Sequence, residues 1–277
     1  MKIIDAHQHF WNYNPADFDW ITDDMSVIRK DFLPEELQHV YQTNNIDGCV
    51  TVQVNQDEKE NEMFLKYAGE NNFIKGTVAW VDLMNEAIED RLAYWQQFNK
   101  LKGFRHILQG EKDRALMLKP AFKNGISLLS KFNFTYDILI FPDQLEYALE
   151  LVKLFPEQKF VIDHLAKPYI KSGEIAQWKK DMEAFKKCEN VYCKISGMVT
   201  EADWKNFSGE TFKPYLDVVT TTFGTKRLMF GSDWPVCLVA ASYENVLQIV
   251  KNYFSSYSSE EKNDIFCNNA IEFYGLE

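Results

Sequence analysis

Apolar and polar positions along this chain fall into two alternating kinds of segment. Short runs rich in apolar and β-branched residues, bounded by turn formers, read as strands. They cover 2–6, 47–54, 74–81, 102–107, 133–141, 159–163, 191–195 and 227–231. Between them lie longer stretches whose apolar residues recur three and four apart, the helical spacing. Pro34 opens the first, with Leu37, Val40 and Tyr41 on one face. The next, 57–71, carries Met63, Phe64, Tyr67 and Ala68 as one stripe. Further helices are predicted over 86–98, 115–131 (one or two), 142–155, 175–188, 210–223, 243–253 and 258–273. Ser258 with Glu261 three residues on forms a capping-box pattern at the start of the last.

Strands separated by helices must run parallel, joined by crossovers. Eight such units in 277 residues suit a single α/β domain, 1–277, closed as a (β/α)8 barrel. An open doubly wound sheet would offer a glycine-rich turn after its first strand. Here that turn reads His7-Gln8-His9-Phe10-Trp11. No repeat, low-complexity tract or linker divides the chain.

A barrel of this kind works at the C-terminal ends of its strands. Four of the five histidines stand at such ends: His7 and His9, His106 beside Arg105, and His164. Lys194 and Ser196 end the seventh strand and Asp233 the eighth. His39 falls in a helical pattern and reads as a surface or packing residue. Strand parity puts His7 and His9 on one side, about 7 Å apart along the chain, where two imidazoles can grip one metal ion or one substrate oxygen. It also pairs Ile162 with His164 and Gly231 with Asp233, Gly231 leaving room beneath the carboxylate. Arg105 and His106 face opposite ways, so one enters the pocket and the other meets the outer helices. Lys194, between Cys193 and Ile195, needs a site role or an ion partner, and Asp137 is the candidate partner. The long polar and aromatic loop after the first strand, to residue 31, has the length of a functional loop.

Composition narrows the function. At 46% hydrophobic and 26% charged, the chain is an ordinary globular one. A net charge of -11 argues against general affinity for nucleic acid or anionic membranes. No run approaches a membrane span, and Asp5 interrupts the first apolar run, which is too short for a signal peptide. Five cysteines, odd in number and without C-x-x-C spacing, read as reduced buried thiols in a cytoplasmic protein. The 21 Phe, 13 Tyr and 7 Trp fill a large core or line a ring-shaped substrate's pocket.

Five motifs in order, DAHQHFW at the start, GFRH, DHLAKP at 163–168, CKISGMVTEADW at 193–204 and FGSDWPV at 230–236, resemble the amidohydrolase superfamily. The subgroup they are similar to is that of the sugar lactonases, including L-fuconolactonases, and the resemblance runs the length of the chain. It implies a metal-dependent-hydrolase barrel whose centre is His7, His9, His164 and Asp233. It also implies hydrolysis of a sugar lactone of the L-fuconate or L-galactonate/D-arabinonate type. Members with two metals add a bridging lysine or glutamate and a histidine on a further strand. The strand after DHLAKP reads VYCKIS and has no histidine, so the resemblance implies one divalent ion, zinc first, or no metal requirement.

Lactone hydrolysis asks for an activated water, a stabilised oxyanion and a protonated leaving oxygen. Asp233 is the natural base, and His164 completes the metal site or polarises the carbonyl. Arg105, Lys194 and His106 are candidates for binding the carbonyl or product carboxylate, and Trp11 and Trp234 for stacking on the sugar. Phe10 reads as packing. The rivals are a decarboxylase or pyrone hydrolase of the same superfamily and a non-catalytic sugar-binding barrel; a substrate with several carboxylates would call for more arginines at the mouth than Arg105, an argument that Arg29 in the first loop weakens. The expected partner is a small-molecule lactone, with no nucleic acid or membrane; oligomeric state is left open.

Overall fold

Eight parallel strands pair in sequence order: β1 (Ile4–Gln8), β2 (Gly48–Val52), β3 (Ile74–Ala79), β4 (Leu101–His106), β5 (Thr135–Ile138), β6 (Phe160–Ile162), β7 (Val191–Ile195) and β8 (Leu228–Phe230). The computed structural model describes residues 1–277. The ring closes between its first and last strands: His9 N–H donates to the Trp234 carbonyl at 2.7 Å and Asp233 N–H to the His7 carbonyl at 2.8 Å. The fold is therefore a (β/α)8 barrel. No helix is long and apolar enough to cross a membrane.

The crossovers carry α1 (Pro34–Asn44), α2 (Glu58–Glu70), α3 (Ile88–Trp95), α4 (Pro120–Leu129), α5 (Leu145–Leu154), α6 (Ala176–Glu183) and α7 (Gly209–Phe223), and α8 (Tyr243–Tyr253) follows β8. Their apolar stripes bury against the outside of the barrel. Pro34 starts α1, whose Leu37 and Tyr41 are buried, and Asn45, at φ 56°, ends it in the left-handed conformation. The capping box at Ser258 is present, with Ser258 Oγ accepting from Glu261 N–H. The segment predicted as one helix over 258–273 is helical throughout, with one change of hydrogen-bonding pattern inside it. α9 (Ser259–Asn263) passes through a π-helical turn at Asp264–Asn268 into α10 (Asn269–Tyr274). The turn lets the Asn269 amide reach the Thr225 and Leu228 carbonyls at the foot of β8.

Two apolar clusters result. The larger lies between strands and helices; the smaller, with Ile4, Ala6, Val50, Val52, Val78, Val161 and Met229, fills the barrel interior. Phe273, Tyr274 and Leu276 plug its lower end. The two clusters reveal which strand positions face inward. Val161 faces in and Ile162 out, so on β6 the parity reading is corrected: His164 does not follow Ile162. It is turned back inward by a left-handed turn in which His164, Leu165, Ala166 and Lys167 all have φ between 50° and 56°. On β1 the register shifts between Asp5 and Gln8, and both Ala6 and His7 point inward. A bulge re-aims a side chain in this way.

Candidate active site

His7, His164 and Asp233 converge at the C-terminal mouth, with one nitrogen or oxygen from each lying within 4.8 Å of the others. His7 Nε2 and His164 Nε2 each stand 3.9 Å from Asp233 Oδ1. His9 joins them, its Nε2 3.2 Å from His7 Nε2 and 3.3 Å from Asp233 Oδ1. All four are buried, with 0–4% of their surface exposed.

Local backbone explains the convergence. Gly231 makes room, though for His7 rather than for the carboxylate: a Cβ there would stand 2.6 Å from the His7 Cβ. Gly197 does the same for His164, since a Cβ would lie 2.5 Å from His164 Nδ1. Asp233 itself sits at φ 59°. Asp5 anchors the base of this end, accepting from Ser232 N–H and from the Tyr41 hydroxyl. Burial pushes its carboxyl up to about 6 against those bonds.

A family model of amidohydrolases matches residues 4–276. The chain belongs to the amidohydrolase family. An L-fucono-1,5-lactonase from Burkholderia multivorans is 34% identical over 284 residues, 99% of this chain and 96% of the relative. An L-rhamnono-gamma-lactonase from Scheffersomyces stipitis is 27% identical over 205 residues, 65% of this chain and 60% of the relative. A crystal structure of an amidohydrolase from Burkholderia multivorans with bound zinc superposes at a TM-score of 0.96, with 34% identity and 100% coverage of both chains.

The donor set of this amidohydrolase fits a metal ion. Each histidine has its Nδ1 engaged and its Nε2 turned to the centre: His9 Nδ1–H donates to the Val52 carbonyl at 2.7 Å, and His164 Nδ1 meets Ser196 Oγ at 2.9 Å. His7 Nδ1 lies 3.3 Å from Asp163 Oδ1. Carboxylates and carbonyls placed behind the ring nitrogens of histidines fix the tautomer that presents Nε2 to a metal. Burial holds His7 and His164 well below the ordinary imidazole range, outweighing Asp163 at His7 and Asp233 at His164, so both are neutral donors. Burial alone would raise the Asp233 carboxyl. His164, His9 and Lys167 together hold it below the usual carboxylate range instead. The separations of 3.2–3.9 Å resemble those between ligands on one ion with bonds of about 2 Å.

Of the candidate binding residues, Lys194 and Arg105 reach the centre through the two ring nitrogens of His7. Lys194 is fully buried below the centre, its Nζ 2.5 Å from Asp137 Oδ2 and 3.1 Å from Asp163 Oδ1. The pairing with Asp137 is present, and the ammonium also stands 3.1 Å from His7 Nδ1. Arg105 faces inward, as parity allows, but its guanidinium is held by Asp163 at 2.9 Å and by the Gln53 side chain at 2.8 Å, with one edge on His7 Nε2 at 3.3 Å. His106 faces the other way, Nε2 on Glu111 at 2.9 Å and its ring against Phe122 of α4. Trp11 and Trp234 are each 1% exposed, and Trp11 borders a cavity with Asn12, Asn55 and Gln56. They pack with Phe10 and Phe32, and Trp11 donates to the Lys30 carbonyl. His39 is exposed on α1.

Asp163 is the residue sequence reasoning missed. Its carboxylate joins Arg105, Lys194 and His7. Burial works to raise it, but those three cations and donors hold it well below the usual range. Asp137, behind Lys194 and bonded to the Tyr274 hydroxyl, is pushed up by burial. The available signal was the D of DHLAKP, an acidic residue at a strand end directly before a histidine.

Proposed function

We propose that the protein opens a sugar lactone of the L-fuconate type to its hydroxy acid, with Asp233 as general base. The observation that carries this is one ionised carboxylate at the barrel mouth, flanked by three imidazoles whose Nε2 atoms face it. The relatives named as sugar lactonases support the substrate class.

Asp233 takes a proton from a water molecule, and the water oxygen bonds to the lactone carbonyl carbon. The carbonyl oxygen becomes an oxyanion. As the tetrahedral carbon collapses, the ring C–O bond breaks and the ring oxygen leaves with the proton Asp233 had taken. The neutral His7 and His164 orient the water through their Nε2 atoms, and burial of the centre strengthens each of these contacts. His7, His9, His164 and Asp233 would hold a single divalent ion, zinc in the first instance. Such an ion supplies Lewis acidity and lowers the pKa of water. The lactone reading does not depend on it, because an ester is activated enough for base catalysis.

A substrate bearing several carboxylates fits less well. Arg105 is committed to Asp163 and Gln53, and Arg29 to Asp23 at 2.7 Å and the Ile21 carbonyl. The test is a pH-indicator screen of L-fuconate, L-galactonate, D-arabinonate and L-rhamnonate lactones, with and without chelator, read against spontaneous hydrolysis. The reading expects turnover of at least one and no more than one equivalent of metal in the purified protein. Background rates on all of them, with decarboxylation or hydrolysis of an aromatic-derived acid instead, would overturn it.

A further inference from the structure

A neutral imidazole carries one N–H and one lone pair in the plane of its ring. His9 and His164 meet that inventory simply. Their Nδ1 atoms face the Val52 carbonyl and Ser196 Oγ, and no cationic side chain stands at hydrogen-bond distance from either Nε2. His7 differs, because a cation faces each of its ring nitrogens. Lys194 Nζ is 3.1 Å from Nδ1, and Arg105 Nη1 is 3.3 Å from Nε2. Two cationic donors thus contest one lone pair.

Asp163 decides between them. Its Oδ1 is buried without an aligned hydrogen-bond donor and lies 3.3 Å from His7 Nδ1. A hydrogen on Nδ1 serves that oxygen and leaves the Nε2 lone pair to Arg105. Lys194 is not stranded by this, since it keeps Asp137 at 2.5 Å and Asp163 at 3.1 Å. The opposite tautomer would give an Nε2–H to His9 Nε2, 3.2 Å away, but would set the same hydrogen against an Arg105 N–H. It would also leave Asp163 Oδ1 unserved, and a buried acceptor without a donor costs its full desolvation.

Arg105 is not free to give way. It is 4% exposed. Its Nε donates to Gln53 Oε1 at 2.8 Å, Nη1 to Asp163 Oδ2 at 2.9 Å and Nη2 to the Gln53 carbonyl. These bonds fix the guanidinium plane with one N–H aimed at His7. They also fix a full positive charge beside the nitrogen that a divalent ion would use, in a buried region where water screens little. An ion that takes the His7 lone pair has to break the Arg105 bond and bear its repulsion.

We propose that Arg105 competes with the metal ion for His7 Nε2. It holds the ring in place when no ion is bound, and it weakens the grip of the centre on an ion. This inference rests on the ion-binding part of the reading above and is independent of the substrate.

The test is zinc affinity, measured at fixed pH without substrate by competition with a chromogenic chelator. It compares full-length wild type, Arg105→Gln, His7→Gln, His164→Gln and the Arg105→Gln/His7→Gln double variant. Arg105→Gln should bind zinc about 10–100-fold more tightly than wild type, the range expected when a hydrogen bond to a charged group no longer has to be broken. Adding His7→Gln should erase that gain, which separates release of the lone pair from the field of a freed Asp163. With Arg105 in place, His7→Gln should cost at least about tenfold less affinity than His164→Gln, whose Nε2 has no such competitor. That comparison leaves Arg105 and Asp163 untouched, so it decides the matter if Arg105→Gln does not fold. Zinc bound by Arg105→Gln no more tightly than by wild type overturns the proposal. So does a gain that survives the loss of His7, or equal losses in His7→Gln and His164→Gln. If wild type holds zinc in any of those cases, the single-ion reading stands without the competition; if neither wild type nor Arg105→Gln binds zinc, both fall.

Discussion

Replacing Lys194 by methionine separates two roles for this residue: substrate binding, which its strand-end position suggested, and support of the barrel. Its ammonium bonds Asp137 at 2.5 Å and Asp163 at 3.1 Å, with all three side chains excluded from water. Lys194→Met keeps the length and apolar stem but strands both carboxylates. Breaking a buried pair by removing one partner costs about 3–5 kcal/mol. The cost does not double, because Asp163 keeps Arg105 at 2.9 Å and Asp137, already pushed up to about 6, can take a proton. For a chain of this size that loss lowers Tm by about 6–15 °C. Thermal unfolding followed by circular dichroism measures it. Adding Asp137→Asn to Lys194→Met should cost less than the two single changes summed, because the pair shares one interaction. A Lys194→Met protein within about 1 kcal/mol of wild type, altered only in KM, would refute the structural role.

Two further outcomes follow from backbone and burial. Gly197→Ala places a methyl 2.5 Å from His164 Nδ1 at φ 62°, so it should cost about 2–5 kcal/mol of stability and most of the activity; a melt and a turnover assay matching wild type would contradict the packing described. Glu60 accepts from the Val54 and Asn55 N–H groups, and burial pushes its carboxyl from 4.5 to about 7. Its folded pKa lies above the unfolded one, so its contribution is complete below about pH 4.5 and is lost as pH rises to about 7. Wild type should therefore lose roughly 3 kcal/mol relative to Glu60→Gln across that window, and parallel stability curves would count against it.

Much of this architecture was legible in the sequence because periodicity reports burial. The eight strands and their intervening helices follow from apolar spacing, and strand ends led to His7, His9, His164 and Asp233. Parity also separated Arg105 from His106, while the cost of burying a lysine alone pointed to a partner for Lys194, with Asp137 as the candidate. Parity failed where the backbone leaves the strand's two-residue rhythm. The bulge in β1 points Ala6 and His7 the same way. The left-handed turn at 164–167 has no glycine to announce it. Residue type misled in a different way: a lysine and an arginine at strand ends look available for substrate until the buried carboxylate of Asp163 is seen to hold both. Trp11 and Trp234 both pack on Phe32 beside the mouth, a contact that residue type alone did not announce.

The central claim is that the Asp233 carboxylate drives lactone hydrolysis, and Asp233→Asn tests it most directly. Asparagine tolerates the left-handed backbone at φ 59° and keeps the side-chain shape, so the substitution removes the base and the charge while leaving the turn in place. Lactone turnover, measured above the spontaneous rate alongside a circular dichroism spectrum, should fall by at least about a hundredfold in a protein that remains folded. A folded Asp233→Asn variant with near wild-type turnover would contradict the account.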